Sequence, residues 1–176
     1  YDDPAKFLHW SRINSRENFA NLGLKTTPAT GKGRQHDRIR VGYYSVDFRN
    51  HPVAHLTAPL YGLHDRTKFE VWVYSYGPDD GHPVRSRIQQ GAEHFVNLEG
   101  SSVQDMAERI RADEIDILVD LSGNTRGSKI QVLGHRPAPV QVHWLGFIGS
   151  MGSTYYDYTI VDQFVAPVGA DQFFDE

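Results

Sequence analysis

The sequence predicts an α/β fold, a Rossmann-like, doubly wound and mostly parallel sheet, on three observations. Apolar strand-like runs alternate with helix-like segments from residue 38 to the end. The links between them are short, as in compact α/β units. The run "IDILVD" at 115–120 is apolar enough to lie inside a parallel sheet covered on both faces. A chain of 176 residues, 39% hydrophobic and 23% charged, has an ordinary globular composition and can bury a core without staples.

Each element has its own local reason. Residues 4 to about 24 carry Phe7, Leu8, Trp10, Ile13, Phe19, Ala20 and Leu22 at roughly helical spacing, with Pro4 in the first turn and Gly23 as a stop. Residues 25–37, "KTTPATGKGRQHD", are polar and rich in Pro and Gly, so 1–37 reads as a helical connector with a linker. The compact domain, 38–176, opens with the strand "RIRVGYYSV" at 38–46. A helix over 52–64 follows, with Pro52 at its first position. The strand "KFEVWVYSY" at 68–76 shows period-two alternation, then a turn leads to a short helix over 84–92 and a short strand at 94–99. A helix over 102–114 puts Val103, Met106, Ala107 and Ile110 on one face, with Ser101 or Ser102 as its cap. Strands at 115–123, 139–147 and 155–162 complete the sheet, with a helix over 127–138 that ends at Gly134.

The bulk numbers exclude several classes. With no cysteine, structural disulfides and thiolate metal sites are ruled out, and a cytoplasmic location is expected. A net charge of −4 argues against a broad nucleic-acid surface. No stretch approaches the ~20 apolar residues of a membrane span, and the N-terminus lacks the order of a signal peptide. Beginning at Tyr1 and stopping after "FFDE", the chain reads as a piece of something longer.

Ligands of doubly wound sheets bind outside the carboxyl ends of the strands. Three polar or glycine-rich stretches fall there. "VDFRNHPVAHL" at 46–56 places Asp47, Asn50 and His51 at a strand-to-helix turn. Such a histidine can act as a base or orient a hydroxyl, and Asp47 can orient the histidine or cap the helix. His55 lies one turn beyond His51, but a metal would need a third ligand that the neighbourhood does not offer, so no metal site is assigned. "SGNTRGSK" at 122–129 could receive an anion on its backbone N–H groups, although it is neither a Walker loop nor a GxGxxG turn. "WLGFIGSMGS" at 144–153 carries three glycines that let backbone approach a ligand. "PDDG" at 78–81 is an acid pair that reads as a turn, and Arg136 is placed to clamp a loop. Trp10, Trp72 and Trp144 read as core or interface.

From Arg38 onward, the ordered segments "RIRVGYYSVDFRNHPVAHL", "KFEVWVYSYGPDDG", "DILVDLSGNTRG", "RPAPVQVHWLGFIGSMGS" and "DYTIVD" resemble the first half of the catalytic region of the O-linked N-acetylglucosamine transferases and SPINDLY-like proteins. The resemblance implies the N-terminal half of a GT-B glycosyltransferase, preceded by a helical lead-in like the connector that joins tetratricopeptide repeats to the catalytic half in family members. Its partners would be a UDP-sugar donor, an acceptor protein or peptide, and the missing C-terminal half that contacts most of the diphosphate. It implies inverting transfer to a Ser or Thr hydroxyl with no cofactor and no metal, and no activity in the isolated half.

Residue by residue, the family's D-x-x-x-H-P pattern falls on Asp47, His51 and Pro52, making His51 the orienting group and Asp47 a candidate base. Its W-L-G motif falls on Trp144, Leu145 and Gly146, so Leu145 and Gly146 would touch the sugar; His55 and Thr125 are further candidate substrate contacts. Four positions depart from the family: Phe147 and Ile148 stand for its Tyr-Pro, Asn124 for its Tyr, and Arg49 for its Gly. The competing readings are a non-catalytic relative that binds a peptide or partner, and an unrelated Rossmann-like enzyme such as a sugar-nucleotide epimerase, which would need a fingerprint absent here.

Overall fold

The computed structural model describes residues 3–20, 22 and 36–176. Five α-helices and six strands alternate in chain order: α1 (Pro4–Phe19), β1 (Ile39–Ser45), α2 (Pro52–Thr57), β2 (Phe69–Ser75), α3 (Pro83–Gly91), β3 (His94–Asn97), α4 (Val103–Ala112), β4 (Ile117–Asp120), α5 (Gln131–Gly134), β5 (Val140–Trp144) and β6 (Tyr158–Ile160). All five strand pairings are parallel, in the order β3-β2-β1-β4-β5-β6. That is the doubly wound Rossmann order, with its topological switch between β1 and β4.

The sheet is buried on both faces. On one side, α2 and α3 cover Val41, Tyr43, Val71, Val73, Val119 and Leu121 with Val53, Ala54, Val84 and Ile88. On the other, α4, α5 and the end of α1 cover Tyr44, Trp72, Tyr74 and Leu118 with Met106, Ile110, Val132, Leu133 and Phe19. The alternation in β2 is therefore not apolar-in and polar-out. It is small β-branched against large aromatic, because the two faces meet two different cores.

Several predicted elements come out shorter. The helix expected over 52–64 stops at Thr57, and Leu60–Gly62 form a separate 3₁₀ turn. Pro59 explains the break, since it has no N–H for a continuing helix. The helix expected over 127–138 is only Gln131–Gly134, although it does end at Gly134. The strand expected over 115–123 ends at Asp120, where the chain turns into the loop that the site needs. The cap of α4 is Ser102, whose hydroxyl accepts from the Asp105 N–H at 3.1 Å. Trp10 is 49% exposed and so is not a core residue. The Gly23 stop and most of the 25–37 linker lie outside the described residues. Among the described residues, no helix is long and apolar enough to cross a membrane.

The amino-terminal edge of the sheet is held by charge. Glu93 accepts from Arg38 Nη1 at 2.7 Å, from Arg66 Nη1 at 2.6 Å and from the Val71 N–H at 2.9 Å. Burial alone would raise its pKa, but these three donors bring it down to about 2 from an ordinary 4.5. A carboxylate depressed on folding contributes stability that is present above the unfolded pKa and lost as pH falls through the folded one. The melting temperature should therefore fall between pH 4.5 and 2, and Glu93→Gln should flatten that part of the curve. Thermal melts of both proteins across that range check this; parallel curves would show that Glu93 is not responsible.

Candidate active site

Four loops meet at the carboxyl edge around the switch point. They are 46–51 after β1, 76–82 after β2, 121–130 after β4 and 145–154 after β5. The first and third are joined at their roots: Ser45 Oγ lies 3.1 Å from Ser122 Oγ, which also accepts from the Val46 N–H at 3.3 Å. The crevice expected of this topology thus opens between the His51 turn and the two glycine-rich loops.

His51, not Asp47, caps α2. Its Nδ1 accepts from the Val53 N–H at 3.3 Å. Nδ1 then carries no proton, so a neutral ring is protonated on Nε2. The His51 side chain is 38% exposed, and Nε2 has no hydrogen-bond partner among the described residues. The neutral ring therefore offers an N–H donor rather than a base. Asp47 is buried, 5% exposed, with Oδ2 3.7 Å from His51 Nδ1 and Oδ1 accepting from Arg49 Nη2 at 3.3 Å. The expectation that a turn carboxylate caps the helix fails because an imidazole nitrogen reaches the same N–H.

The other candidates are placed as follows. Leu145 has φ 77°, and the Gly146 N–H donates to the Trp144 carbonyl at 3.0 Å, which together define a γ-turn of the rare left-handed kind. That turn drives Gly146 against the end of β4: a Cβ there would lie 2.0 Å from the Leu121 carbonyl oxygen. Leu145, with Trp144, Phe147, Ile148, Ile160 and Val161, lines a mostly apolar hollow of about 230 Å³ that Asp162 also borders and that neither His51 nor Asp47 lines. Strain of this sort costs of order 1–3 kcal/mol and collects at ligand sites. Thr125 does not point its hydroxyl hydrogen outward, because Oγ1 donates to the Ser122 carbonyl at 3.0 Å. The Nε2 of His55 lies 2.9 Å from Asn50 Oδ1, and its ring meets His82 edge-on at 5.3 Å. His55 thus serves the back of the turn. Among the described residues no group of three His, Cys, Asp or Glu side chains could hold a metal ion.

The 122–129 loop is not an open anion cradle at its start. The Ser122 and Gly123 N–H groups donate to the Asp120 carboxylate at 2.9 and 3.1 Å, and Tyr156 Oη donates to it at 2.7 Å. Asp120 is fully buried, and burial first, then this carboxylate, hold the Tyr156 hydroxyl far above its usual range. Sequence reading missed Asp120, although an acid closing an apolar strand before "SGN" was the available signal. It also missed His143, whose Nε2 donates to the Phe147 carbonyl at 2.8 Å while its ring lies against Gly123, so one buried side chain touches both glycine-rich loops. Arg136 does clamp a loop, gripping Asp157 with two bonds of 2.7 and 2.8 Å.

Helix α1 leans over these loops. Phe7 stacks on Phe147 with ring centres 5.5 Å apart, and Asn14 Nδ2 donates to Asn124 Oδ1 at 2.8 Å. Between α1 and the chain's last segment runs a second groove of about 540 Å³, lined by Pro4, Phe7, Ile148, Val165 and Phe173 and not by His51 or Asp47. The departures from the family pattern are thus occupied: Arg49 neutralises Asp47, Asn124 binds α1, and Ile148 borders both hollows.

A doubly wound sheet with a histidine turn and glycine-rich loops at its switch point is a Rossmann-type half built to receive a ligand at its carboxyl edge. The chain belongs to glycosyl transferase family 41, whose model matches residues 24–176. It is 42% identical over 131 residues to the "Probable UDP-N-acetylglucosamine--peptide N-acetylglucosaminyltransferase SEC" of Arabidopsis thaliana, covering 74% of this chain and 13% of that protein. It is 40% identical over 140 residues to the UDP-N-acetylglucosamine--peptide N-acetylglucosaminyltransferase of Caenorhabditis elegans, covering 79% and 12%. Among solved structures it is similar to a mutant O-GlcNAc transferase of Thermobaculum terrenum, with a TM-score of 0.86 and 32% identity over 98% of this chain and 33% of that one. The chain therefore spans only a fraction of the length of the relatives it matches.

Proposed function

We propose that this chain is the N-terminal half of the catalytic region of an inverting GT-B glycosyltransferase. It would act in the cytoplasm, joined to a second half, and move N-acetylglucosamine from UDP-N-acetylglucosamine to a protein Ser or Thr hydroxyl without a metal. Family membership and the names of the relatives support this reading. The observation that carries it is that the His51 turn and the strained Leu145–Gly146 turn both follow parallel strands at the sheet's carboxyl edge, after β1 and β5.

Glycosyl transfer develops positive charge on the sugar and negative charge on the departing diphosphate. An enzyme must hold the hydroxyl in line and stabilise the leaving group. This half supplies the positioning. The His51 Nε2–H is a donor for an oxygen of the acceptor or the sugar, and Leu145 with the Gly146 backbone forms the apolar wall for the sugar ring. Asp47, buried and paired with Arg49, stands behind His51 and keeps the turn's charge balanced. Neutralising the diphosphate falls to the second half.

The test is turnover by the protein containing both halves, with several UDP- and GDP-sugars and an acceptor peptide. Transfer from UDP-N-acetylglucosamine is expected, and none from the 176-residue chain alone. Absence of turnover with every donor would leave the peptide-binding relative as the better reading, since Arg49 then fills a cleft that has no chemistry to perform.

A further inference from the structure

Both carboxylates of the acid pair in the 78–81 turn are engaged. Asp79 Oδ1 accepts from the Gly81 N–H at 2.9 Å, and its Oδ2 lies 3.2 Å from Arg85 Nε. Asp80 Oδ1 accepts from the His82 N–H at 3.1 Å, and its Oδ2 accepts from the Asn50 N–H at 2.8 Å. The last bond crosses from one loop to the other and ends on the residue before His51. Arg85 makes a second crossing. The residue is 3% exposed, and its Nη1 donates to the Phe48 carbonyl at 3.0 Å and to Ser75 Oγ at 2.7 Å. A third contact is the His82 ring against His55, which in turn holds the Asn50 side chain. The backbone of the Asp47–His51 turn is thus held on both sides of Arg49, at Asn50 by the loop after β2 and at Phe48 by α3.

We propose that Asp80 and Arg85 are positioning residues for His51. This rests on the reading of the His51 turn as part of a transferase site. A carboxylate fixing the Asn50 N–H and a buried guanidinium fixing the Phe48 carbonyl leave the turn one conformation, and His51 inherits its place from it. A buried cation placed on a carbonyl is costly to desolvate, so it marks a turn whose geometry matters. Small displacements of a positioning group can cost about 100-fold in rate.

The experiment uses the protein containing both halves and the variants Asp80→Ala, Asp80→Asn, Arg85→Lys and His51→Ala. Two quantities are read: steady-state kinetics with UDP-N-acetylglucosamine, and hydrogen–deuterium exchange of the 46–56 peptide. Asp80→Ala should lower kcat about 10-fold or more with the donor KM nearly unchanged. Exchange in 46–56 should rise while other peptides stay protected. Because Asp80 makes surface bonds, the melting point should hardly move. Asp80→Asn should fall between, since its amide oxygen can still accept from one N–H. Arg85→Lys should loosen the same peptide.

Unchanged exchange and unchanged kcat in Asp80→Ala would overturn the proposal, while an inactive His51→Ala in the same assay would leave the transferase reading intact. A general loss of protection in Asp80→Ala would overturn it too, by making the contact merely structural. If the wild type turns over no donor, the transferase reading falls and with it the catalytic half of this proposal; the exchange of 46–56 still decides the clamp.

Discussion

His51→Ala, in the protein containing both halves, is expected to lower kcat/KM for sugar transfer by about 100-fold or more, the usual range for a positioned proton-handling or orienting side chain. Two losses are mixed in that substitution. The first is the Nε2–H donor, which has no partner among the described residues and is therefore available to substrate. The second is the α2 cap, because Nδ1 accepts from the Val53 N–H; losing a cap costs about 1 kcal/mol and lowers the melting temperature by about 2–4 °C in a domain of this size. His51→Ser separates them. A serine hydroxyl caps well and sits at the backbone, so the melting temperature should return towards wild type while activity stays low. If activity returns with stability, His51 is a cap and the crevice needs another donor. Pro52 remains in every variant, so the helix start stays defined.

The sequence made the sheet legible because each strand is a compact apolar run between turn residues, and the site legible because polar residues follow the strands. What it hid has physical causes. An imidazole nitrogen caps as an oxygen does, so Asp47 looked like the cap when His51 is. The same device recurs at His82, whose Nδ1 accepts from the Val84 N–H at 3.2 Å, and the shared His-Pro-Val pattern at 51–53 and 82–84 was its sequence trace. The role of the 78–81 acids was invisible because it depends on β1 and β2 lying side by side, which brings Asp80 to Asn50 across 30 residues. Arg49 and Asn124, read as departures from the family pattern, turn out to have partners in Asp47 and Asn14, and the second lies in a helix whose packing no periodicity reveals.

Gly146→Ala is expected to be costly, because the methyl group has no room at the end of β4. The added Cβ would stand 2.0 Å from the Leu121 carbonyl oxygen, 3.0 Å from its carbon and 3.2 Å from Ser122 Cα. None of these is the end of a flexible side chain. Relief requires either the end of β4 or the 145–149 loop to move as backbone. Moving β4 would pull on Ser122, whose hydroxyl joins this loop to β1, and on the Asp120 carboxylate that holds the Ser122 and Gly123 N–H groups. Moving the other loop would break the His143 bond to Phe147 and release the strained turn at Leu145. Overpacking of a rigid site costs about 1–3 kcal/mol and occasionally more, so a fall of several degrees in melting temperature is expected. Transfer should fall further than stability, because either route disturbs the backbone where the Leu145–Gly146 turn meets the end of β4, the place proposed for the sugar. The check is to measure both at a temperature where the variant is still fully folded. A folded Gly146→Ala protein with wild-type kcat/KM would mean that the Leu145–Gly146 turn does not touch the sugar, and that the sugar's wall lies elsewhere in the crevice.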